Sequence, residues 1–119
     1  MKKLGFGLMR LPLKDKEDVT SIDMYILNIM VGTFIDRGFK YFDTSYPYHN
    51  GTSEIAIREE LVRCYLSKRF LLADKLLMRI IKWKEQQENM FNEQLEKFGV
   101  DYFDYYLLHN LGVGAYEKM

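Results

Sequence analysis

The sequence predicts an α/β fold in which parallel strands are joined by helical crossovers. Short apolar runs rich in aromatic residues alternate with segments of helical spacing, in the order β, α, β, α, β, α, β. Three polar residues, Asp43, Lys75 and His109, each stand at the C-terminal end of a predicted strand, 32 and 34 residues apart. These intervals match one strand-helix-strand unit of roughly 30 residues, so the units repeat in phase.

The four predicted strands are short and differ in character. The first, "LGFGLMRLP", is stopped by Pro12, which has no backbone N–H to donate. The third, "RFLLAD", is a continuous apolar run, as in strands that are buried on both faces. The predicted strands are residues 4–12, 39–43, 69–74 and 102–109.

Three helices are predicted between these strands, at residues 22–37, 53–66 and 90–98. Thr20 and Asp23 resemble a capping box at the start of the first helix, and Gly38 and Gly99 follow the first and third helices as C-terminal stops. Cys64 falls on the inner face of the second helix, where we expect it to pack in the core. Residues 78–88 have a mixed pattern that predicts no element.

The composition predicts one domain, residues 1–119, and excludes several classes of function. Lysine and arginine number 17, as do aspartate and glutamate, so no net charge favours binding to nucleic acid or to an anionic membrane. The single cysteine cannot form an internal disulfide, and no metal site is predicted. The first residues lack the apolar core of a signal peptide, and no apolar run approaches the roughly 20 residues of a membrane span. We therefore expect a cytoplasmic location.

The ends of successive parallel strands converge at one mouth, either of a (β/α)8 barrel or of an open-sheet crevice. Such a mouth would bring together Asp43, Tyr48, Lys75 and His109. An ammonium stabilises a nearby phenolate, so Lys75, held by Asp43, would make Tyr48 a better proton donor to a carbonyl oxygen. His109 could orient that oxygen, but the hydride would have to come from a cofactor. Alternation along the strand predicts that Asp74 points away from this site.

These residues lie in stretches that resemble the aldo/keto reductase family. The matching stretches are "LGFGLMRLP", "GFKYFDTSYPYHNGTSE", "LLADKL" and "FNEQLEKFGVDYFDYYLLHN", which together cover nearly the whole chain in order. The resemblance implies a (β/α)8 barrel that reduces aldehydes or ketones with NADPH. It implies that Tyr48 is the general acid, that Lys75 and Asp43 tune it, and that His109 orients the carbonyl group.

The same resemblance implies where the cofactor would bind. It places the backbone of Gly7, Leu8, Met9 and Arg10 near the nicotinamide, and Asp43 beside the ribose. The "GFG" motif lacks the third glycine of a Rossmann fingerprint, so the dinucleotide prediction depends on the resemblance alone.

The length of the chain limits how much of a barrel it can form. A (β/α)8 barrel typically has about 250 residues, whereas this chain has 119 and ends just after its fourth predicted strand. We expect the N-terminal half of a barrel, which either self-associates or joins a complementary C-terminal half to cover its open edges. The alternative is a non-catalytic half-barrel scaffold that binds partners through those edges. Tyr46 and His49 are expected to be loop residues or to line a pocket for a small carbonyl substrate.

Overall fold

The computed structural model describes residues 2–112, which form a parallel four-stranded sheet in the order β1-β2-β3-β4. The strands are β1 (Gly5–Gly7), β2 (Tyr41–Asp43), β3 (Leu71–Leu77) and β4 (Tyr105–His109). All three strand pairs are parallel, as the sequence predicts. The first strand ends at Gly7, so the expectation that it runs to Pro12 is wrong, and beyond Pro12 residue Leu13 forms an isolated antiparallel bridge with Ile22.

The strand register determines how far each strand reaches toward the site. One level of the sheet aligns Gly7, Asp43, Ala73 and Tyr105. β3 continues beyond this level to Leu77, which pairs with His109. Lys75 therefore lies within β3, and the expectation that the third strand ends at residue 74 is wrong.

The helices lie on one face of the sheet, as right-handed crossovers between neighbouring parallel strands require. Phe42 of β2 is fully buried there and makes an edge-to-face contact with Phe34 at a centroid distance of 5.1 Å. The core on this face is formed mainly by large apolar side chains: Leu8, Leu27, Val31, Phe34, Phe42, Ile57, Leu61, Leu72 and Phe98.

The opposite face of the sheet has no covering layer within the described residues. Tyr41 and Tyr105 lie side by side on it, with ring centroids 5.6 Å apart. Tyr105 remains 50% exposed and Leu107 41% exposed. This face corresponds to the inside of a barrel that the described residues do not close.

The first helix, α1 (Met24–Asp36), begins where the sequence suggests but is capped differently. The Asp23 side chain accepts a hydrogen bond from the N–H of Ile26, whereas Thr20 bonds to Asp18. The expected capping box of Thr20 and Asp23 is therefore not formed, because the Thr20 hydroxyl is engaged in the preceding loop.

The second helix departs most from expectation. α2 (Thr52–Ile57) gives way to a π-helical turn at Arg58–Val62 instead of running regularly to residue 66. The wider turn rotates the residues that follow about the helix axis. Cys64 lies beyond the end of this turn and is exposed, so the expectation that it packs in the core is wrong.

The third helix, α3 (Lys84–Phe98), begins six residues before the predicted position and ends as expected at Gly99, whose φ is +70°. The side chain of Gln86 accepts from the backbone N–H of Trp83, which helps to fix the start of this helix. No helix in residues 2–112 is both long and apolar enough to cross a membrane.

Candidate active site

Lys75 is the centre of a polar cluster at the C-terminal ends of β2 and β3. Its ammonium nitrogen donates to Oδ2 of Asp43 at 2.9 Å, to the carbonyl oxygen of Thr44 at 2.8 Å and to the hydroxyl of Tyr48 at 3.2 Å. An ammonium group has three N–H donors, so each of them has a protein acceptor. The Lys75 side chain is only 12% exposed, which strengthens its electrostatic interactions.

Tyr48 enters this cluster from the short 3-10 turn Tyr48–Gly51 that follows β2. His49 and Asn50 in this turn have φ values of 54° and 52°, a left-handed conformation that non-glycine residues rarely adopt. The Lys75 ammonium lies 4.8 Å from the centroid of the Tyr48 ring. Because Lys75 donates to the phenol oxygen, the phenol hydrogen is directed to another acceptor.

His109 joins the cluster from the end of β4. Its Nδ1 lies 2.7 Å from the hydroxyl oxygen of Ser45, and its ring meets the Tyr48 ring edge to face at 5.7 Å. Burial lowers the pKa of His109, and the positive charges of Lys75 and Arg79 lower it further. The structure thus brings together all four residues that the sequence predicts to be catalytic.

The residues expected to lie near a nicotinamide are at the end of β1, next to this cluster. Gly7 pairs with Asp43, and the N–H of Leu8 donates to the carbonyl oxygen of Asp43 at 2.9 Å. A Cβ built on Gly7 would meet no atom within 4 Å, so there is open space above the strand end. Met9 and Arg10 are exposed beside it, whereas Leu8 is fully buried.

Tyr46 and His49, each expected to be either a loop residue or a pocket residue, have different roles in the structure. His49 connects two loops: its Nε2 accepts from the N–H of Leu11 at 3.1 Å, and its Nδ1 lies 2.7 Å from the carbonyl oxygen of Val19. His49 is therefore a structural loop residue. Tyr46 instead lines an open cleft of about 500 Å³ together with Leu77, Arg79, Lys97 and five further residues.

A buried polar layer behind Lys75 was not predicted from the sequence. Asp74 faces away from the cluster, as strand alternation predicts, and lies with Glu54 and Gln94 in a fully buried group. Lys97 donates to Oε1 of Glu54 at 2.6 Å. The sequence signal of this layer is a polar residue within an apolar segment, such as Asp74 in the run "LLADKLL". Among residues 2–112, no group of three or more histidine, cysteine or acidic residues is placed to hold a metal ion.

Comparisons with known proteins agree on one family. The sequence model described as the Aldo/keto reductase family matches residues 3–115. The search of curated proteins finds no match. Among solved structures, a thermostable aldo-keto reductase in complex with the inhibitor epalrestat superposes with a TM-score of 0.73 at 18% identity, over 96% of this chain and 40% of its own.

Two further structures give the same result. An aldo-keto reductase from Klebsiella pneumoniae in complex with NADPH has a TM-score of 0.68 at 24% identity, over 96% of this chain and 39% of its own. Aldose reductase from Giardia lamblia has a TM-score of 0.65 at 20% identity, over 88% of this chain and 32% of its own. The likeness establishes the fold, and the chain spans only about a third to two fifths of the length of these structures.

Proposed function

The chain belongs to the aldo/keto reductase family, and from this premise we propose that it contributes the proton-donating site of an NADPH-dependent reductase of aldehydes or ketones. The observation that carries the proposal is the position of the Lys75 ammonium, 2.9 Å from Asp43 Oδ2 and 3.2 Å from the Tyr48 hydroxyl. This arrangement suits transfer of a proton to a carbonyl oxygen.

In the proposed reaction Tyr48 is the general acid. The phenol O–H bond breaks, its proton goes to the carbonyl oxygen, and the Lys75 ammonium stabilises the phenolate that remains. Asp43 holds the ammonium in place through their ion pair. A bound NADPH would supply the hydride to the carbonyl carbon, so that the carbonyl group becomes an alcohol.

His109 is proposed to orient the carbonyl group. Its lowered pKa favours the neutral ring at pH 7. If Nδ1 accepts the hydrogen bond from Ser45, the remaining ring proton is on Nε2, which can then donate to a substrate oxygen. A neutral donor adds no second positive charge beside Lys75.

The open space above Gly7 supports a proposed position for the nicotinamide end of the cofactor. We propose that Gly7, Met9 and Arg10 contact it and that Asp43 contacts the adjoining ribose. A flat ring can approach the strand end closely because Gly7 has no side chain. The resemblance to the family implies that most of the groups that hold the pyrophosphate and the 2′-phosphate lie on later strands and loops of the barrel.

We further propose that residues 1–119 act as the N-terminal half of a barrel whose open face is covered by a second copy or by a complementary C-terminal half. The exposure of Tyr105 and Leu107 on that face supports this proposal. The same exposure favours a second candidate function, a non-catalytic scaffold that binds partners through this face. Light scattering that shows a folded monomer at high concentration would exclude self-association.

The two candidate functions differ in cofactor binding. Calorimetry with NADPH, or the fluorescence of Trp83, would measure binding to the full chain, and NADPH absorbance would follow turnover with a panel of small aldehydes. Binding with aldehyde-dependent oxidation supports the reductase. A folded chain that does not bind NADPH supports the scaffold for this chain by itself.

A further inference from the structure

The backbone of Lys75 lies beyond the point where β2 and β3 pair. The register between these strands ends with Asp43 opposite Ala73, and the N–H of Thr44 donates to the carbonyl oxygen of Ala73 at 3.0 Å. Residues two apart in a strand direct their backbone N–H and C=O groups to the same side. Ala73 bonds to β2 on that side, so the N–H and C=O of Lys75 point to the same side, where β2 has already ended. Its partly buried N–H and C=O groups therefore need other partners.

Two buried side chains supply these partners. Oδ1 of Asp74 accepts a hydrogen bond from the N–H of Lys75 at 2.9 Å. Nε2 of Gln94, from α3, donates to the carbonyl oxygen of Lys75 at 2.9 Å. Both side chains are fully buried. The backbone of Lys75 is thus held on this side by side chains instead of by a strand.

The orientation of the Gln94 amide is itself fixed at both ends. Its Nε2 also donates to Oε2 of Glu54 at 3.0 Å, and its Oε1 accepts from the hydroxyl of Tyr106. The Glu54 carboxylate is held in turn by the ammonium of Lys97 at 2.6 Å. Rotation of the amide would break several bonds at once, so Gln94 presents a fixed donor to Lys75.

We propose that Asp74 and Gln94 are positioning residues for Lys75, which fix its backbone so that its ammonium reaches Asp43 and Tyr48 together. The proposal rests on the proposed role of Lys75 in proton transfer and adds the residues that place it. Neither Asp74 nor Gln94 touches the Lys75 ammonium. Both side chains instead bond to the backbone of Lys75, and they lie on the face of the sheet opposite to the one that carries the ammonium.

The chemistry of Asp74 identifies a conservative variant. Burial and the nearby Glu54 carboxylate raise the pKa of Asp74 to about 10, so its neutral form is favoured at pH 7. Its Oδ2 is buried near the Glu54 carboxylate, which favours the protonated form, although no partner in the described residues lies within the distance of an ordinary hydrogen bond. Asparagine is neutral and of nearly the same shape, and its Oδ1 can accept the same bond from Lys75. Asp74→Asn should therefore preserve the position of Lys75, whereas Asp74→Ala should not.

The test uses NMR of the full chain, labelled with ¹⁵N and ¹³C, without cofactor or substrate. Hydrogen exchange of the Lys75 amide is compared with that of the Leu72 amide. Leu72 is on the same strand as Lys75, and its N–H donates a hydrogen bond to the side chain of Asp104. We expect Asp74→Ala to speed Lys75 exchange roughly tenfold relative to Leu72, and the Lys75 ε-carbon resonance to shift as the ammonium moves. Gln94→Met should shift the Lys75 carbonyl and ε-carbon resonances, and Asn92→Met on the exposed side of α3 is its control.

The outcomes separate positioning from a merely structural role. A general loss of stability would speed exchange at Leu72 and Lys75 alike, which overturns the proposal. Unchanged Lys75 ε-carbon resonances in both Asp74→Ala and Gln94→Met, or an effect of Asp74→Asn as large as that of Asp74→Ala, would also overturn it. If Asp74→Ala does not fold, Gln94→Met and Asp74→Asn decide. Since no readout uses NADPH or turnover, an inactive chain does not affect the result.

Discussion

The ammonium of Lys75 lies 2.9 Å from the carboxylate of Asp43, although the two residues are 32 positions apart in the chain. They meet because β2 and β3 are neighbouring parallel strands and both residues point to the face opposite the helices. Tyr48 and His109 reach the same place from the loop after β2 and from the end of β4. Four predictions test this site and the buried layer behind it.

The first prediction concerns the Tyr48 hydroxyl. Tyr48→Phe keeps the ring but removes the proton, so reductase turnover should fall by roughly 10²- to 10⁴-fold, the usual contribution of a general acid. NADPH affinity should stay nearly unchanged, because the ring remains in place. Steady-state kinetics and calorimetry measure the two effects. The exposed Tyr25→Phe is a matched control, and retained turnover in Tyr48→Phe would exclude Tyr48 as the acid.

The second prediction concerns protonation of His109. Its pKa in the folded chain is below the ordinary value of about 6.5, so the folded state binds fewer protons than the unfolded state between these two pKa values. Stability due to neutral His109 is therefore present above about pH 6.5 and is lost as pH falls through the folded pKa.

Two measurements check this behaviour. NMR titration of the histidine rings should give His109 a pKa below about 6.5, and His109→Gln identifies its resonance because the chain has only 2 histidines. Denaturant unfolding should show a smaller loss of stability on acidification in His109→Gln than in the wild-type chain. A His109 pKa above the ordinary value would contradict the proposed neutral donor.

The third prediction concerns the ion pair of Glu54 and Lys97. Glu54 is fully buried and Lys97 is 19% exposed, so Lys97→Met leaves a buried carboxylate without its cation. We expect the free energy of unfolding to fall by about 3 kcal/mol, as for other buried pairs that lose one partner. Urea denaturation would measure it. Lys84→Met, at an exposed position of the same helix, should change stability by less than about 0.5 kcal/mol.

The fourth prediction concerns the charge of Asp74. Burial and Glu54 raise its pKa to about 10, so stability due to its neutral form is present at low pH and is lost as pH rises from the unfolded pKa toward the folded one. Glu54 from α2 raises this pKa, Lys75 from β3 lowers it, and Tyr106 from β4 is also close enough to interact with Asp74.

Asp74→Asn removes this dependence because asparagine stays neutral. The variant should gain stability relative to the wild-type chain as pH rises, because only the wild-type chain must bind a proton at this position in order to fold. Denaturant unfolding at several values between about pH 5 and pH 8 would measure the difference. A difference that stays constant over this range would show that Asp74 is already ionised in the folded chain.

The order of the strands and helices could be predicted from the sequence, as could the spacing that places Asp43, Lys75 and His109 at one end of the sheet. These features are local or periodic: apolar runs define strands, and one strand-helix-strand unit has a nearly constant length. The family was predicted in a different way, from the resemblance of motif-bearing stretches that cover nearly the whole chain, and the family model matches residues 3–115.

The polar residues behind the site and the residues that face the core could not be predicted in this way, because they depend on contacts between distant segments. Cys64 is exposed just beyond the π turn at Arg58–Val62, and no sequence period reveals such a turn. Asp74, Glu54 and Gln94 come from three different elements, and their burial depends on how α2 and α3 pack on β3. Contacts between distant segments determine the hydrogen-bond partners of the Lys75 backbone. The pairing with β2 ends before Lys75, and Gln94 of α3 donates to the Lys75 carbonyl oxygen there.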